Sequence, residues 1–433
     1  MKCTEPGCGA RFPVDQRLYS CRECGGLLDV EYSFPSDATP ARLKQVFEDR
    51  RRGESAADLS GVWRFRELLP FTDQIDSIVS LREGNTPLYE APRSADYCHL
   101  SELRLKHQGM NPTGSFKDNG MTTGVTKARL LGATSVACAS TGNTSASMAA
   151  YAARAGMRAY VFIPAGQVAY GKLSQALEYG ATVVQIDGNF DDALTIVRDL
   201  GRETDLYLLN SINPFRLEGQ KTIMFELIEQ LEWQPPDWIV LPGGNLGNAA
   251  AFGKALHELV ALGFIERAPR LAVIQAEGSA PFYNLVRTED RSRLRPVERP
   301  ATLATAIRIG NPVSWKKALR SLDWTNGVVE RVSEQEIADA KAVIGRDGIG
   351  CEPASAATLA GAKRLVESGT IERGLNVVCV LTGNLLKDPS YTIDYHTGEL
   401  RLESGASPIG VSFANQPIRA AADREEIRRV LGI

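Results

Sequence analysis

The sequence predicts an α/β protein built around parallel sheets, with a small cysteine-rich unit at its start. Three observations predict it. From Leu81 onward, short β-branched runs alternate with helical patterns bounded by glycine, which is the signature of βαβ units. Four of the eight cysteines fall within the first 24 residues. The 433 residues, 43% hydrophobic and 23% charged, have ordinary globular composition and enough apolar material for a large core.

Residues 1–30 form the cysteine unit. Cys3 and Cys8 are separated by four residues and Cys21 and Cys24 by two, with twelve between the pairs, so two short knuckles can present four thiolates to one tetrahedral ion. Zinc is the expected metal, and Gly7, Gly9, Gly25 and Gly26 flank the knuckles where the backbone must turn toward sulfur. A closed four-thiolate site leaves no position for substrate, so its expected role is structural. Two disulfides or free thiols are the competing reading. The chain start carries cysteines where a signal peptide has its apolar stretch, and no later apolar run approaches the ~20 residues of a membrane span, so a soluble, reducing cytoplasmic setting is expected. Cys98, Cys138, Cys351 and Cys379 stand in apolar or loop contexts and read as small core residues. The formal net charge is -3, and within residues 1–30 Lys2, Arg11, Arg17 and Arg22 are matched by Glu5, Asp15, Glu23 and Asp29. That balance disfavours a nucleic-acid or membrane partner and favours a small molecule.

Residues 31–80 read as linker helices, with Arg50, Arg51 and Arg52 on a solvated face. Residues 81–433 follow as the main α/β region. Its strand candidates are Ser135–Ser140, Ala159–Ile163, Thr182–Ile186, Leu206–Leu209, Trp238–Leu241, Leu271–Gln275 and Val377–Leu381. Helices are expected over Thr144–Ala155, Gly171–Tyr179, Phe190–Arg202, Glu218–Leu231, Asn248–Leu262, Ser333–Arg346 and Pro353–Ser368, the Ser333 start having the form of a capping box. In open α/β sheets ligands bind beyond the carboxyl ends of strands, so the loops after these strands are where chemistry is sought.

Four loops carry candidate chemistry. Asn111-Pro-Thr-Gly-Ser-Phe116-Lys117-Asp118 puts one lysine where turn residues give way to a helix, and a partly desolvated amine near the positive end of a helix dipole is disfavoured as ammonium. Asn143 follows an apolar strand, and its amide can bond a phenolic oxygen or a carboxylate. Gly243-Gly244-Asn245-Leu246-Gly247-Asn248 offers backbone NH groups and a helix N-terminus to a phosphate. Leu381-Thr382-Gly383-Asn384 brings a hydroxyl suited to a ring nitrogen. Each loop alone is an ordinary turn pattern. Together they supply the amine, oxygen partner, phosphate cradle and ring-nitrogen partner that pyridoxal phosphate requires. The glycine and lysine spacing of Gly166 to Lys172 imitates a nucleotide P-loop, but Leu173 follows where a Ser or Thr would ligate magnesium, so that reading is rejected. The loop at Gly243 also lacks dinucleotide-binding spacing.

These motifs, with Asn210-Ser211-Ile-Asn-Pro-Phe-Arg216-Leu-Glu-Gly-Gln-Lys221-Thr and Cys351-Glu-Pro-Ala-Ser-Ala-Ala, resemble the threonine synthase family of pyridoxal-phosphate enzymes. The resemblance runs from about Arg82 to about Thr382, and a zinc ribbon also precedes some members. It implies the tryptophan-synthase-β fold: two interleaved α/β subdomains, the smaller at about 130–230, with the cofactor between them. It implies that Lys117 forms the Schiff base, with Phe116 beside it, that Asn143 meets the phenolic oxygen and that Thr382 faces the pyridine nitrogen. Gly244, Asn245, Leu246, Gly247 and Asn248 would cradle the cofactor phosphate, and Asn210, Ser211 and Arg216 the substrate phosphate. A buried phosphate dianion needs charge-assisted partners, which gives Arg216 independent sense. The implied reaction turns O-phospho-L-homoserine and water into L-threonine and phosphate. The competing readings are a cysteate synthase acting on phosphoserine, a serine or threonine ammonia-lyase, and a non-catalytic zinc-ribbon adaptor. A homodimer is an expectation of the resemblance alone.

Overall fold

The computed structural model describes residues 1–34, 38–165, 170–188, 190–403 and 406–433. In chain order the strands are β1 (Lys2–Cys3), β2 (Leu28–Asp29), β3 (Leu88–Glu90), β4 (Leu103–His107), β5 (Ser135–Ala139), β6 (Arg158–Pro164), β7 (Thr182–Ile186), β8 (Tyr207–Leu208), β9 (Trp238–Pro242), β10 (Arg270–Ala276), β11 (Val328–Val332) and β12 (Val377–Leu381). The helices are α1 (Pro40–Arg50), α2 (Pro92–Cys98), α3 (Lys117–Leu130), α4 (Asn143–Ala155), α5 (Tyr170–Glu178), α6 (Phe190–Glu203), α7 (Pro214–Gln230), α8 (Gly247–Ala261), α9 (Pro281–Val286), α10 (Trp315–Thr325), α11 (Glu334–Arg346), α12 (Pro353–Glu367), α13 (Pro389–Thr397) and α14 (Arg424–Leu431). Among the described residues no helix is long and apolar enough to cross a membrane.

Two parallel sheets organise the chain. The larger has the order β11-β10-β9-β12-β4-β3, with only β3 antiparallel, and the smaller has the order β7-β6-β5-β8. Helices cover both faces of the larger sheet, and its central strands show why their sequences run unbroken apolar. Trp238 and Val240 of β9 enter one core while Ile239 and Leu241 enter the other, and Val377, Cys379 and Leu381 of β12 alternate with Val378 and Val380 in the same way. Cys98, Cys138, Cys351 and Cys379 are all buried. The capping box forms: Ser333 Oγ accepts from the Glu336 NH and the Glu336 carboxylate accepts from the Ser333 NH.

Besides the short β1 and β2 of the cysteine unit, three strands of the larger sheet escaped the sequence reading. β4 carries Arg104, Lys106 and His107, β11 carries Glu330 and Arg331, and β3 is short and half-exposed, so none shows a clean apolar run. Lys106 is buried all the same, because the Glu226 carboxylate pairs with it and the Thr86 carbonyl accepts a second hydrogen bond. α7 begins earlier than expected. Asn213 caps it by accepting from the Phe215 NH and Pro214 takes the first position, so Arg216 lies in a first helical turn and not in a loop. The arginine run needs correction as well. Arg51 and Arg52 are exposed as expected, Arg51 reaching Glu229 at 3.1 Å, but Arg50 folds inward to Glu67 and the Arg64 carbonyl, because the Glu67 carboxylate neutralises it. Residues 166–169 and the side chain of Lys172, the P-loop look-alike, lie outside the described residues. Beyond the last strand, Tyr391, Tyr395 and Leu400 pack on Ala338 and Ala342 of α11.

The cysteine unit is anchored on both sides. Toward the larger sheet, Asp29 pairs with Lys317 and Arg320 of α10, and Lys317 also donates to the Leu28 carbonyl at 2.6 Å. Burial works against the Asp29 charge, but the Lys317, Lys254 and Arg320 cations outweigh it and hold the carboxyl well below its usual range. Toward the smaller sheet, the Tyr19 hydroxyl accepts from the Leu208 NH at 2.8 Å.

Candidate active site

Helix packing sets the first part of the site. A methyl group at Gly219 of α7 would fall 1.8 Å from the Asn119 carbonyl oxygen of α3, and one at Gly124 would fall 3.2 Å from Arg216 Cγ. The absence of side chains there lets the two helices touch backbone to backbone, which brings Arg216 close to Lys117 at the start of α3. Loop stitching sets the second part. The Phe116 NH donates to the Thr382 carbonyl at 3.0 Å, the Asn384 NH to the Gly114 carbonyl at 2.9 Å, and the Glu352 NH to the Gly383 carbonyl at 3.0 Å. The segments around Lys117, Glu352 and Thr382 therefore meet at the carboxyl end of β12.

Lys117 is the first residue of α3, and its amine lies 4.1 Å from the centre of the Phe116 ring. It keeps some surface open, yet the protein around it strips enough water to lower its pKa to about 7, with the Arg216 charge acting in the same direction and Glu352 opposing. Burial also pushes the neighbouring Asp118 up to about 6, against hydrogen bonds from Ser147 and Thr113. Asp118 accepts from the Thr113 NH at 2.7 Å and hydroxyl at 2.6 Å, which folds the Asn111–Lys117 loop back over the helix start.

Arg216 is buried, donates to the Leu209 carbonyl at 2.9 Å, and leaves Nε without a partner. Burial lowers its pKa to about 10. Among the described residues no carboxylate pairs with it; Glu218, two residues along the helix, is committed to Lys221 and Lys254. Asn210 spends its amide oxygen and one NH on the backbone of Ala139, at 3.2 and 3.1 Å, leaving its second NH uncommitted there. Ser211 Oγ accepts from Asn245 at 2.9 Å, and Asn245 also accepts from the Val313 NH at 2.8 Å. That serine–asparagine bond ties the loop after β8 to the loop after β9.

The loop after β9 has the shape of an anion cradle. A methyl group at Gly244 would crowd the Ala306 carbonyl at 3.0 Å, Leu246 adopts φ +62°, and α8 opens at Gly247 with its first NH groups lacking helical acceptors. Asn248 Oδ1 and Gln220 Oε1 are buried there without partners, the latter 3.4 Å from where a Gly247 side chain would begin. A crowded Gly244, the open NH groups of the first turn of α8 and a desolvated amine fit a phosphorylated aldehyde cofactor, whereas the two orphaned amide oxygens, as acceptors, do not serve that role.

Asn143 opens α4 and donates to Glu352 Oε2 at 3.0 Å, while the Thr382 hydroxyl donates to Glu352 Oε1 at 3.1 Å. Sequence reasoning passed over Glu352. An acidic residue before a proline-initiated helix reads as an ordinary helix start, and only the fold reveals that its carboxyl points inward.

A family model described as pyridoxal-phosphate dependent enzyme matches residues 79–383. The threonine synthase of Methanosarcina acetivorans is 49% identical over 395 residues, covering 91% of this chain and 93% of that protein. The threonine synthase of Methanocaldococcus jannaschii is 47% identical over 425 residues and 98% of both chains, a span that takes in the cysteine unit. Among solved structures, a fungal L-serine ammonia-lyase from Rhizomucor miehei superposes with a TM-score of 0.63 at 23% identity, over 73% of this chain and 99% of that one. Maize serine racemase does so with 0.60 at 19%, over 72% and 94%, and these two likenesses speak to the fold. The chain belongs to the pyridoxal-phosphate-dependent enzyme family, in its threonine synthase branch.

Proposed function

We propose that the chain converts O-phospho-L-homoserine and water into L-threonine and inorganic phosphate, with Lys117 as the residue that holds the cofactor and moves protons. The observation that carries this reading is Arg216: a buried guanidinium without a carboxylate, close enough to Lys117 to depress its charge. A buried cation left open in this way costs stability unless an anion completes it, and a phosphorylated substrate supplies that anion. An amino acid without phosphate brings only its α-carboxylate, one charge where a phosphate brings nearly two, which disfavours the ammonia-lyase reading.

The residues divide the work by position. Lys117 and Phe116 hold the cofactor at its aldehyde end, Asn143 at its phenolic oxygen, Thr382 at its ring nitrogen and Gly244 to Asn248 at its phosphate. When bound, pyridoxal phosphate supplies an electron sink conjugated to the substrate's α carbon. The Lys117 amine, whose ammonium form is disfavoured by burial and by the Arg216 charge, would take the α proton and return protons at the neighbouring carbons. Arg216, the free NH of Asn210 and the Ser211 hydroxyl hold the substrate phosphate and stabilise its departing charge. Water then adds at the β carbon and a final protonation completes threonine.

Zinc is the ion proposed for Cys3, Cys8, Cys21 and Cys24, whose sulfurs lie within 4.8 Å of one another. We also assign residues 1–30 to the ribbon, 31–80 to the linker helices and 81–433 to the catalytic region, with its smaller subdomain at about 130–230. Incubating cofactor-loaded protein with O-phospho-L-homoserine is expected to release phosphate and threonine in equal amounts. No release, with turnover on phosphoserine plus sulfite or on threonine itself, would move the protein to a sister activity.

A further inference from the structure

The three polar groups around Glu352 form a directed chain. Ser355 Oγ accepts from the Thr382 NH at 2.8 Å and the Gly383 NH at 3.1 Å, and it lies 3.1 Å from the Thr382 hydroxyl. With both NH groups pointing at its oxygen, the serine's own hydrogen has the Thr382 oxygen as its partner. Thr382 in turn gives its single hydrogen to Glu352 Oε1 at 3.1 Å, and the other carboxylate oxygen takes the Asn143 amide at 3.0 Å. Glu352, Ser355 and Thr382 are all buried. A methyl group at Gly383 would fall 2.3 Å from the Glu352 carboxyl carbon, so the carboxyl lies flat against that glycine and can reach both partners only because no side chain is there.

We propose that Glu352, acting through the Thr382 hydroxyl, keeps the pyridine nitrogen of the cofactor protonated. The inference rests on the reading of Thr382 as the ring-nitrogen partner. A threonine hydroxyl has one hydrogen and two lone pairs. Glu352 holds the hydrogen and Ser355 occupies one lone pair, which leaves a site that can only accept. A pyridine nitrogen facing it must bring its own proton, taken from solvent when the cofactor loads, and no proton moves along the chain. Without the carboxylate the hydroxyl turns and donates to a neutral nitrogen instead. Glu352 is thus a positioning residue that gives a neutral threonine the effect of a carboxylate, and a protonated ring is the stronger electron sink. The charged groups that act on this carboxyl are Asp388, which raises its pKa, and Lys387, which lowers it, while burial is the largest influence and raises it. Lys117 and Cys351 also feel its charge.

The test is the nitrogen signal of the holoenzyme loaded with pyridoxal phosphate carrying nitrogen-15 in the ring. The wild-type protein is expected to show the protonated signal, and Glu352→Gln, which keeps the shape and loses the charge, the neutral one. A neutral ring in the wild type, or a protonated ring in Glu352→Gln, overturns the proposal. Should that variant take up no cofactor, Gly383→Ala, which pushes the carboxyl off Thr382, must lose the protonated signal as well; its retention would be equally fatal. Thr382→Val run in parallel separates the two claims. An unchanged signal in Thr382→Val removes Thr382 as the nitrogen's partner, whereas a changed signal there with an unchanged one in Glu352→Gln removes Glu352 alone.

Discussion

Lys117 and Arg216 sit close together with like charges, and their effects should separate by experiment. Because its pKa is lowered to about 7, Lys117 needs no partner to supply a neutral amine near neutral pH, but it loses that form below. The rate at which cofactor-free protein captures pyridoxal phosphate covalently should fall about tenfold per pH unit below pH 7, followed by absorbance; a flat profile down to pH 5 would mean the amine is not desolvated as described. The linkage has a definite sign. A lysine whose folded pKa lies below its unfolded one destabilises the cofactor-free fold fully below about pH 7, and that penalty is relieved as pH rises toward the unfolded value. Lys117→Ala should abolish the covalent adduct and cut turnover by roughly a thousandfold or more, and near-normal activity would refute the assignment. Arg216→Met should behave differently. Losing a charge-assisted phosphate contact worth about 1.5–3 kcal/mol should lower kcat/KM by roughly ten- to a hundredfold. The melting temperature should hold or rise, because an uncompensated buried charge has been removed. A large drop in stability with unchanged kcat/KM would make Arg216 a structural residue.

At the scale of elements, the contact between α3 and α7 decides whether those two side chains meet. A methyl group at Gly219 would overlap the Asn119 carbonyl, a backbone atom that cannot step aside. Gly219→Ala should therefore destabilise the fold by about 1–3 kcal/mol and weaken activity by parting Arg216 from Lys117; a variant of wild-type melting temperature would show that the helices have slack. This contact was invisible in the sequence, because a helical glycine reads the same whether it faces solvent or another backbone. The glycine–asparagine loops were legible because a turn's chemistry lies in consecutive residues. β9 and β12 were legible because two covered faces demand unbroken apolar runs, while β4 was not, since its buried Lys106 depends on Glu226, which is 120 residues distant. Arg216 stood out in the sequence as a candidate anion contact, but its place inside a helix depended on the cap supplied by Asn213. Glu352 was hidden for the opposite reason: its local pattern has a sufficient bland explanation.

Across the whole molecule, the cysteine unit touches helix α10 and strand β8, the second close to the candidate site. Asp29 holds it to α10, and Tyr19 caps the Leu208 NH only two residues before Asn210, where the loop toward Arg216 begins. Tyr19 also packs edge-on against Tyr207, with ring centres 5.6 Å apart. If the proposed zinc fills the four-thiolate site, its binding energy would in effect be folding energy for the cysteine unit. Its removal should then be felt in two places. Treatment with a strong chelator should release one metal ion per chain and lower the melting temperature, and it should also raise KM for the phosphorylated substrate, because the loop after β8 loses the tyrosine that fixes its start. Tyr19→Phe isolates the second effect. It leaves the metal in place but strips the Leu208 NH of its buried acceptor, a loss of about 1–3 kcal/mol, and should raise KM with kcat little changed. If chelation removes the ion while both melting temperature and KM stay at their starting values, the ribbon is an independent appendage and its contacts with β8 and α10 hold nothing in place.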